Sequence, residues 1–270
     1  MDVVASVYAS YGFEPLETPA VENLSTLTGK YGDEGDRLIF KILKRGEEGQ
    51  GGAADLALRY DLTVPLARVV AEYRAQLPRF FKRYQMQPVW RADRPQRGRF
   101  REFYQCDVDA IGSSSLVVEA EVLAAACSVL QRLGFSDFSV KLNHRQVLRG
   151  LLDAAGVAQA AHADALVALD KLDKIGRDGV AAEFDMRGLG ADAATRLLTV
   201  FAQLGAFGTD ASGNAARLDV LAAFIGGHEA GSAGVADLRE ILTLSASTPA
   251  AGCLVVDASL ARGLSYYTGA

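Results

Sequence analysis

Two alternating stretches decide the fold: FFKRYQMQPVWR at residues 80–91 and RFREFYQCDVDAI at residues 99–111. In both, apolar and polar residues alternate, and successive side chains of a strand point to opposite faces of a sheet. The connecting ADRPQRG at residues 92–98 contains proline and glycine, which is typical of a turn. The pattern therefore predicts a long antiparallel hairpin within a mixed α+β fold.

The alternation also predicts which side chains share a face. Arg91 from the first strand would lie beside a row of polar and aromatic residues from the second: Arg99, Arg101, Phe103, Gln105, Asp107 and Asp109. Cys106, Val108 and Ala110 would point the other way, into a core. Guanidinium groups bind phosphate and aromatic rings stack on bases, so this face is a candidate nucleotide platform. Salt bridges between the carboxylates and the arginines are the alternative.

The period of the apolar residues predicts the elements around the hairpin. Helices are predicted at 2–12, 62–73 and 116–134, and extended segments at 13–22, 37–44, 55–60 and 138–143. The polar, glycine-rich GEEGQGG at 46–52 is predicted to be a loop between two of these strands.

The sequence becomes Ala- and Leu-rich from residue 145, in short amphipathic pieces separated by glycines. This composition and its helical period predict a helical insertion without strands. Strand character returns only at Cys253–Asp257. We therefore expect a sheet domain at 1–144, a helical insertion at 145–250, and a return to the sheet domain at 251–270.

Composition excludes several classes of protein. Of the 270 residues, 50% are hydrophobic and 23% charged, as in ordinary globular proteins. The apolar stretches are too short to cross a bilayer, and the N-terminus has no secretory signal pattern. Three distant cysteines and three histidines show neither a CxxC pair nor metal-ligand spacing, which argues against a disulfide framework or a metal site. These features predict a cytoplasmic protein.

Charge is distributed unevenly along the chain. The net charge is −5, yet the segment from Lys82 to Arg101 holds seven basic residues and one acidic residue, Asp93. Such a concentration of arginine is typical of an anion-binding surface, although a solvated face is the alternative.

Asp61 and Thr63 in RYDLTVPLAR stand where a predicted strand gives way to a helix. Their side chains could cap the helix, because Asp and Thr are common at helix starts. Alternatively, both could bind an amino group of a ligand.

Four motifs together resemble the histidyl-tRNA synthetases, a family of class II aminoacyl-tRNA synthetases. They are RYDLTVPLAR at 59–68, VWRADRPQRGRFREFYQCDVDAIG at 89–112, LDKLDKIG at 169–176 and ARGLSYYTG at 261–269. They occur in the order of that family and cover nearly the whole chain. The resemblance implies the class II fold, an antiparallel sheet flanked by helices, with a helical insertion.

The resemblance also implies an ATP site. Arg91 of the second class-defining motif would contact the ATP α-phosphate and the amino-acid carboxylate, and Asp93 stands where the family commonly has glutamate. Arg99 would reach the outer phosphates and Phe103 would stack on adenine. Magnesium would be expected to bridge the phosphates, although the sequence contains no dedicated carboxylate cage for it.

A histidine site is implied as well, by Asp61, Leu62, Thr63, Arg91, Gln105, Asp109, Arg262, Tyr266 and Tyr267. Asp61 and Thr63, assisted by Gln105, would hold the α-amino group. Asp109 would address the imidazole ring, and Tyr266 and Tyr267 would line its pocket. Arg262 would join Arg91 as a catalytic residue, since neither charge can be lost by deprotonation. Ser265 departs from the commoner aspartate, a change we expect to be tolerated.

The implied activity is that of a histidine–tRNA ligase, which activates L-histidine with ATP and transfers it to tRNA(His). A homodimer is also implied. The third motif and the anticodon-binding domain of the family do not follow the last motif, and relatives begin about one helix earlier. We therefore expect a fragment or a reduced paralogue, with impaired charging activity.

Three other functions are compatible with parts of the sequence. A histidine-sensing regulatory subunit of ATP phosphoribosyltransferase would need the histidine pocket but not the intact arginine-rich loop. The synthetase-like domain of a stress-sensing kinase would bind uncharged tRNA without catalysis. A structural domain would carry its arginines simply as surface residues.

Overall fold

The structure is a computed structural model that describes residues 1–29, 38–94 and 96–261. The chain divides into two compact units, Met1–Ser114 and Ser115–Ala270. This boundary differs from the predicted one at 144, but compactness does not show which residues form an insertion. The three-part division therefore stays a prediction.

The first unit combines helices with two small sheets. Its elements in chain order are α1 (Asp2–Ser10), β1 (Glu14–Pro15), β2 (Val21–Asn23), α2 (Leu24–Leu27), β3 (Lys41–Leu43), α3 (Glu47–Gln50), β4 (Ala54–Leu58), α4 (Thr63–Tyr73), β5 (Phe81–Trp90) and β6 (Glu102–Ile111). The predicted hairpin is confirmed, because β5 and β6 pair antiparallel over ten residues each. β1 lies parallel to β5 at the edge of this sheet. The other sheet is antiparallel, in the order β2-β4-β3.

Backbone hydrogen bonds bring the segment after β4 beside the end of β5. The Trp90 amide donates to the Arg59 carbonyl at 3.0 Å, and the Arg59 amide donates to the Ala20 carbonyl at 3.0 Å. Residues 59–63 therefore lie next to the strand end that carries Arg91, although they are about thirty residues away in sequence. This placement assembles the polar site described below from distant segments.

The prediction of a loop at GEEGQGG is wrong in one respect, because α3 forms a single helical turn within this segment. A Cβ on Gly49 would lie 1.8 Å from the Lys44 carbonyl oxygen, so the turn closes only with glycine at this position. An ion pair between Lys44 Nζ and Glu48 Oε2, 3.0 Å long, spans it. The polar, glycine-rich composition did not predict this helical turn, because the turn depends on the close approach of the backbone at Gly49.

The second unit is mainly helical. Its elements are α5 (Leu116–Arg132), β7 (Val140–Leu142), α6 (Arg145–Ala155), α7 (His162–Leu169), α8 (Leu172–Met186), α9 (Ala191–Gly205), α10 (Asn214–Ile225), α11 (Glu229–Ser245) and β8 (Leu254–Val256). β7 and β8 pair in parallel, which confirms strand character at the end of the described chain. The prediction of helices without strands is also confirmed for the described residues between β7 and β8.

An apolar core joins the helices of the second unit. In the described residues, its buried side chains come from six of the helices, α6 to α11, and include Leu152, Phe184, Leu197, Leu221 and Leu238. No helix in the described residues has the length and apolar character needed to cross a membrane.

Candidate functional site

One face of the β5–β6 hairpin carries a continuous set of polar side chains. The strand register places three polar pairs directly opposite each other, Arg83 with Asp109, Gln85 with Asp107, and Gln87 with Gln105, followed by Val89 with Phe103. The structure thus brings Phe103, Gln105, Asp107 and Asp109 together on one face, as their alternation predicts. We call this surface, from Arg83 to Val89 and from Phe103 to Asp109, the polar face.

The polar face is the more buried side of the hairpin. Arg83 and Gln85 are 0% and 1% exposed, whereas Tyr104 on the opposite side is 60% exposed. The prediction that Cys106 points into a core is therefore wrong, since this thiol is exposed. Val108 and Ala110 on the same side are only partly buried. Alternation identifies residues that share a face, but it does not identify the face that other elements cover.

An ion pair between a fully buried arginine and a half-buried carboxylate lies at one end of the polar face. Arg83 Nη2 is 2.8 Å from Asp109 Oδ2, and the Asp109 side chain is 29% exposed. The approach makes an ion pair but not a hydrogen bond, and within the described residues neither Asp109 Oδ2 nor the buried Gln105 Oε1 accepts a hydrogen bond. Burial raises the pKa of the Asp109 carboxyl, and the Arg83 charge opposes that shift. Two buried oxygen atoms on this face therefore have no hydrogen-bond donor among the described residues, although buried acceptors usually have one.

Asp107 is the most strongly perturbed carboxyl on the polar face. Burial raises its pKa to about 6 from 3.8. The charges of Asp109 and Asp61 act in the same direction, whereas Arg83 and Arg91 oppose the shift. The folded protein therefore binds a proton at this site at a pH where the unfolded chain has lost it.

Replacing Asp107 with asparagine is expected to stabilise the protein near neutral pH and not in acid. The folded pKa is raised, so ionisation of Asp107 destabilises the fold as the pH rises from 3.8 to about 6. The neutral amide avoids this loss. Urea unfolding midpoints of both proteins between about pH 4 and pH 8 would measure it. Curves that run parallel over this range would contradict the assigned burial of the charge.

A hydrogen-bond network continues the polar face into the neighbouring segments. Arg59 is 1% exposed, and its Nη1 donates to the Thr18 carbonyl at 2.6 Å and to Gln87 Oε1 at 3.0 Å. Gln85 Nε2 donates to Thr18 Oγ1 at 2.9 Å and to Gln87 Oε1 at 2.6 Å. Arg83 Nη1 donates to Gln85 Oε1 at 3.3 Å. The network therefore runs from Arg59 to the Arg83–Asp109 ion pair.

Arg91 lies at the other end of the polar face. Its guanidinium carbon is 5.2 Å from the centre of the Phe103 ring, which is a cation–π contact. Its Nε donates to the Tyr60 carbonyl at 3.0 Å. These two contacts fix the orientation of the guanidinium plane. A guanidinium held in this way is suited to bind a phosphate group with two parallel N–H donors.

The arginines expected to precede Phe103 on the strand do not lie in it. β6 begins at Glu102, and Arg99 forms an isolated bridge with Gln96 within the turn. Arg101 is exposed, and its Nε donates to the Asp93 carbonyl at 3.2 Å. The prediction that Arg99 and Arg101 continue the strand alternation is therefore wrong. The Gln96–Arg99 bridge takes Arg99 into the turn, and Arg101, whose carbonyl accepts from the Arg91 amide at 2.9 Å, lies just before the strand. Their ligand-binding roles stay predictions.

Asp61 caps the helix that follows it. Asp61 Oδ1 accepts a hydrogen bond from the Val64 amide at 3.1 Å, and Thr63 is the first residue of α4. The carbonyl of Leu62 accepts from Arg83 Nη2 at 3.3 Å, which ties this helix start to the polar face. The capping alternative for Asp61 is thus observed, and its binding of an amino group remains a prediction.

Five residues that support the site were not predicted from the sequence; they come from the segment before β2, from the position after β4 and from β5: Thr18, Arg59, Arg83, Gln85 and Gln87. The alternation of Arg83, Gln85 and Gln87 was a usable signal, because a hairpin register drawn through the turn pairs them with the polar residues of β6. Three other predicted site residues, Arg262, Tyr266 and Tyr267, lie outside the described part of the chain.

Comparison with known proteins finds relatives along the whole chain. The family described as histidyl-tRNA synthetase matches residues 1–270. A histidine–tRNA ligase of Gloeobacter violaceus is 44% identical over 287 aligned residues, covering 100% of this chain and 60% of the relative. A crystal structure of histidyl-tRNA synthetase from Nostoc sp. PCC 7120 matches with a TM-score of 0.80 at 30% identity, covering 99% of this chain and 58% of that one.

A second solved structure bears on the alternative function. A protein from Bacillus halodurans C, described as an ATP phosphoribosyltransferase regulatory subunit/histidyl-tRNA synthetase, matches with a TM-score of 0.77 at 25% identity. The match covers 96% of this chain and 62% of that one. Together these structures confirm the predicted α+β fold of class II synthetase type. The chain spans 60% of the length of the curated relative described above.

Proposed function

Because this chain belongs to the histidyl-tRNA synthetase family, we propose that its polar face binds L-histidine and ATP for the activation of histidine. The observation that carries this proposal is a buried polar face with two acceptors, Asp109 Oδ2 and Gln105 Oε1, that have no hydrogen-bond donor in the described residues. A bound amino acid with an amino group and a ring N–H offers donors for such atoms.

In the proposed reaction, the histidine carboxylate attacks the α-phosphorus of ATP. A bond forms between the carboxylate oxygen and phosphorus, the bond to the bridging oxygen breaks, and pyrophosphate leaves with that oxygen. Stabilising the negative charge on the phosphoryl oxygens matters more here than a general base. Arg91, held by Phe103 and the Tyr60 carbonyl, is suited to this task. Arg262 is proposed as the second catalytic cation.

The histidine ligands follow the same proposal. Asp109 accepts from the imidazole ring, while Asp61, Leu62 and Thr63 at the start of α4 and Gln105 hold the α-amino end. The contact between Arg83 and the Leu62 carbonyl supports a common site for both ends of the amino acid. Tyr266 and Tyr267 are proposed to line the imidazole pocket.

ATP would extend from Arg91 toward the turn of the hairpin. Phe103 would stack on adenine, Arg99 would contact the outer phosphates, and Asp93 would take the position of the usual glutamate. No three His, Cys, Asp or Glu side chains of the described residues form a group that could hold a metal ion. Magnesium is proposed to enter with ATP, as part of the substrate.

Properties of the whole protein are likewise proposals, because the chain spans 60% of the curated relative. They are transfer of histidine to tRNA(His), a homodimeric state and a cytoplasmic location. A regulatory subunit of ATP phosphoribosyltransferase is the second candidate function, favoured by the Bacillus halodurans C structure. The arginine-rich turn and the Arg91–Phe103 contact favour the synthetase, because a histidine sensor has no need of an ATP platform.

Calorimetric titration of the chain with L-histidine tests the proposal, with Asp109→Asn as the variant. Asparagine keeps the shape but loses the charge, so affinity for histidine should fall about 10- to 100-fold. Asp55→Asn, which removes an exposed carboxylate of the same unit, is the control and should bind as the unchanged protein does. Absence of histidine binding to the unchanged chain would overturn the proposed function.

A further inference from the structure

Arg83 is a fully buried arginine that reaches two parts of the candidate site at once. Its Nη2 lies 2.8 Å from Asp109 Oδ2 and also donates to the Leu62 carbonyl at 3.3 Å. Its Nη1 donates to Gln85 Oε1 at 3.3 Å. One guanidinium group therefore connects the carboxylate at one end of the polar face with the backbone at the start of α4.

The pairing around Arg83 is poor for a purely structural ion pair. Removing a charge from water is costly, and a buried pair recovers that cost only when its remaining hydrogen bonds are satisfied. Here Arg83 Nε and Asp109 Oδ2 are both buried without a hydrogen-bond partner in the described residues. Burial also lowers the pKa of Arg83, which means that the surroundings disfavour its charge. The arrangement therefore presents a carboxylate that the Arg83 charge holds in place, with one oxygen, Oδ2, that accepts no hydrogen bond from the described residues.

We propose that Arg83 is a positioning residue for histidine selection, which orients the Asp109 carboxylate toward the imidazole ring and fixes its distance from the start of α4. The proposal rests on the proposed function, because it assigns Asp109 to the ring of bound histidine. Arg83 itself is fully buried and acts through Asp109 and the Leu62 carbonyl.

The charges around Asp109 explain what Arg83 contributes. Asp107 lies two residues along the same strand, and the charges of Asp107 and Asp109 interact. Asp109, Asp107 and Asp61 all favour the charge of Arg83, so the negative charges around this guanidinium come from β6 and from the segment before α4. Arg91 lies farther along the face, and Arg83 makes the direct ion pair. Without Arg83, burial favours the protonated form of Asp109, and the charge of Asp107 acts in the same direction. A protonated carboxyl lacks the negative charge that strengthens the hydrogen bond from a ring N–H, so it should bind the ring more weakly.

The experiment compares histidine dissociation constants of Arg83→Gln and the unchanged chain by calorimetry between about pH 6 and pH 8.5. The ring of free histidine titrates identically in both experiments and cancels from the ratio of the two constants. At neutral pH, Arg83→Gln should bind about 10- to 100-fold more weakly. The ratio should shrink as the pH rises, because Asp109 regains its charge. A merely structural role for Arg83 would leave the ratio independent of pH.

Two further variants keep the test decisive. Arg83→Lys retains a charge but not the planar double contact, so it should recover part of the affinity and remove the pH dependence of the ratio. If Arg83→Gln does not fold, this variant carries the test, and affinity equal to that of the unchanged chain would overturn the proposal. Arg68→Gln breaks the paired contacts of Arg68 with Glu22, 2.9 Å each, and should leave histidine affinity unchanged.

The outcomes separate the two proposals. Absence of histidine binding to the unchanged chain contradicts the proposed function itself. Binding that Asp109→Asn weakens and Arg83→Gln leaves intact at every pH overturns only the role of Arg83. Loss of affinity in both variants, with the pH-dependent ratio confined to Arg83→Gln, is the result we expect.

Discussion

Replacing Arg91 with alanine is expected to weaken binding of a non-hydrolysable histidyl-adenylate analogue about 100-fold. The guanidinium is held 5.2 Å from the Phe103 ring centre and bonded to the Tyr60 carbonyl, so it meets an anion without first losing freedom of motion. Alanine removes both the charge and this preorganisation. Calorimetric titration with the analogue, an acyl sulfamate of adenosine, measures the loss.

Matched arginine variants make the Arg91 experiment specific. Arg74→Ala removes an exposed arginine at the end of α4, and it should change affinity less than about threefold. Arg91→Lys should fall between the two, since lysine keeps the charge but not the planar fork. Free histidine should lose less affinity than the analogue, because it lacks the phosphoryl group. Equal binding by Arg91→Ala and the unchanged chain would remove Arg91 from the proposed site.

Replacing Arg59 with methionine should have the largest effect on stability, about 3 to 5 kcal/mol. Arg59 Nη1 donates to the carbonyls of Thr18 and Pro19 and to Gln87 Oε1, at 2.6, 3.2 and 3.0 Å, and Nε donates to the Pro88 carbonyl at 3.0 Å. Methionine fills similar space but donates to none of them. Buried acceptors without donors would remain in two segments of the first unit.

The single tryptophan of the chain makes this loss measurable. Trp90 lies in the first unit, and the Arg59 guanidinium carbon is 5.9 Å from its ring centre. Urea unfolding followed by Trp90 fluorescence therefore reports on the unit that contains the substitution. Arg45→Met, at an exposed position of the same unit, should change the free energy of unfolding by less than about 0.5 kcal/mol. A similarly small change for Arg59→Met would show that the network adds no stability.

The hairpin could be predicted because its signal is local and repeated. Ten alternating residues in each strand leave little choice of period, and the turn residues between them fix the order of the strands. The same alternation identifies Phe103, Gln105, Asp107 and Asp109 as neighbours on one face. The face that becomes buried depends on segments such as that after β4, whose position is set by tertiary contacts.

The support around the site could not be read from local pattern. Arg59 and Thr18 contact the polar face because the end of β4 and the segment before β2 lie beside β5. This contact joins segments that are distant in sequence, so no residue spacing within one segment predicts it. Arg83 looked like one more member of a basic cluster until the register placed it opposite Asp109. Asp61 shows the reverse case, since its capping bond to the Val64 amide follows directly from its place before a helix.

The two units differ in the share of polar side chains that they bury, and this difference affects how the stability of each unit changes with temperature. Among the described residues, the first unit buries the polar side chains of Thr18, Glu22, Arg59, Asp61, Arg83 and Gln85, whereas the second buries those of Asn214, Arg217 and Ser245 within a larger apolar core. Exposing apolar surface raises the heat capacity of unfolding, and exposing polar surface lowers it. The first unit should therefore contribute less heat capacity per residue, so that its share of stability varies less steeply between cold and warm conditions.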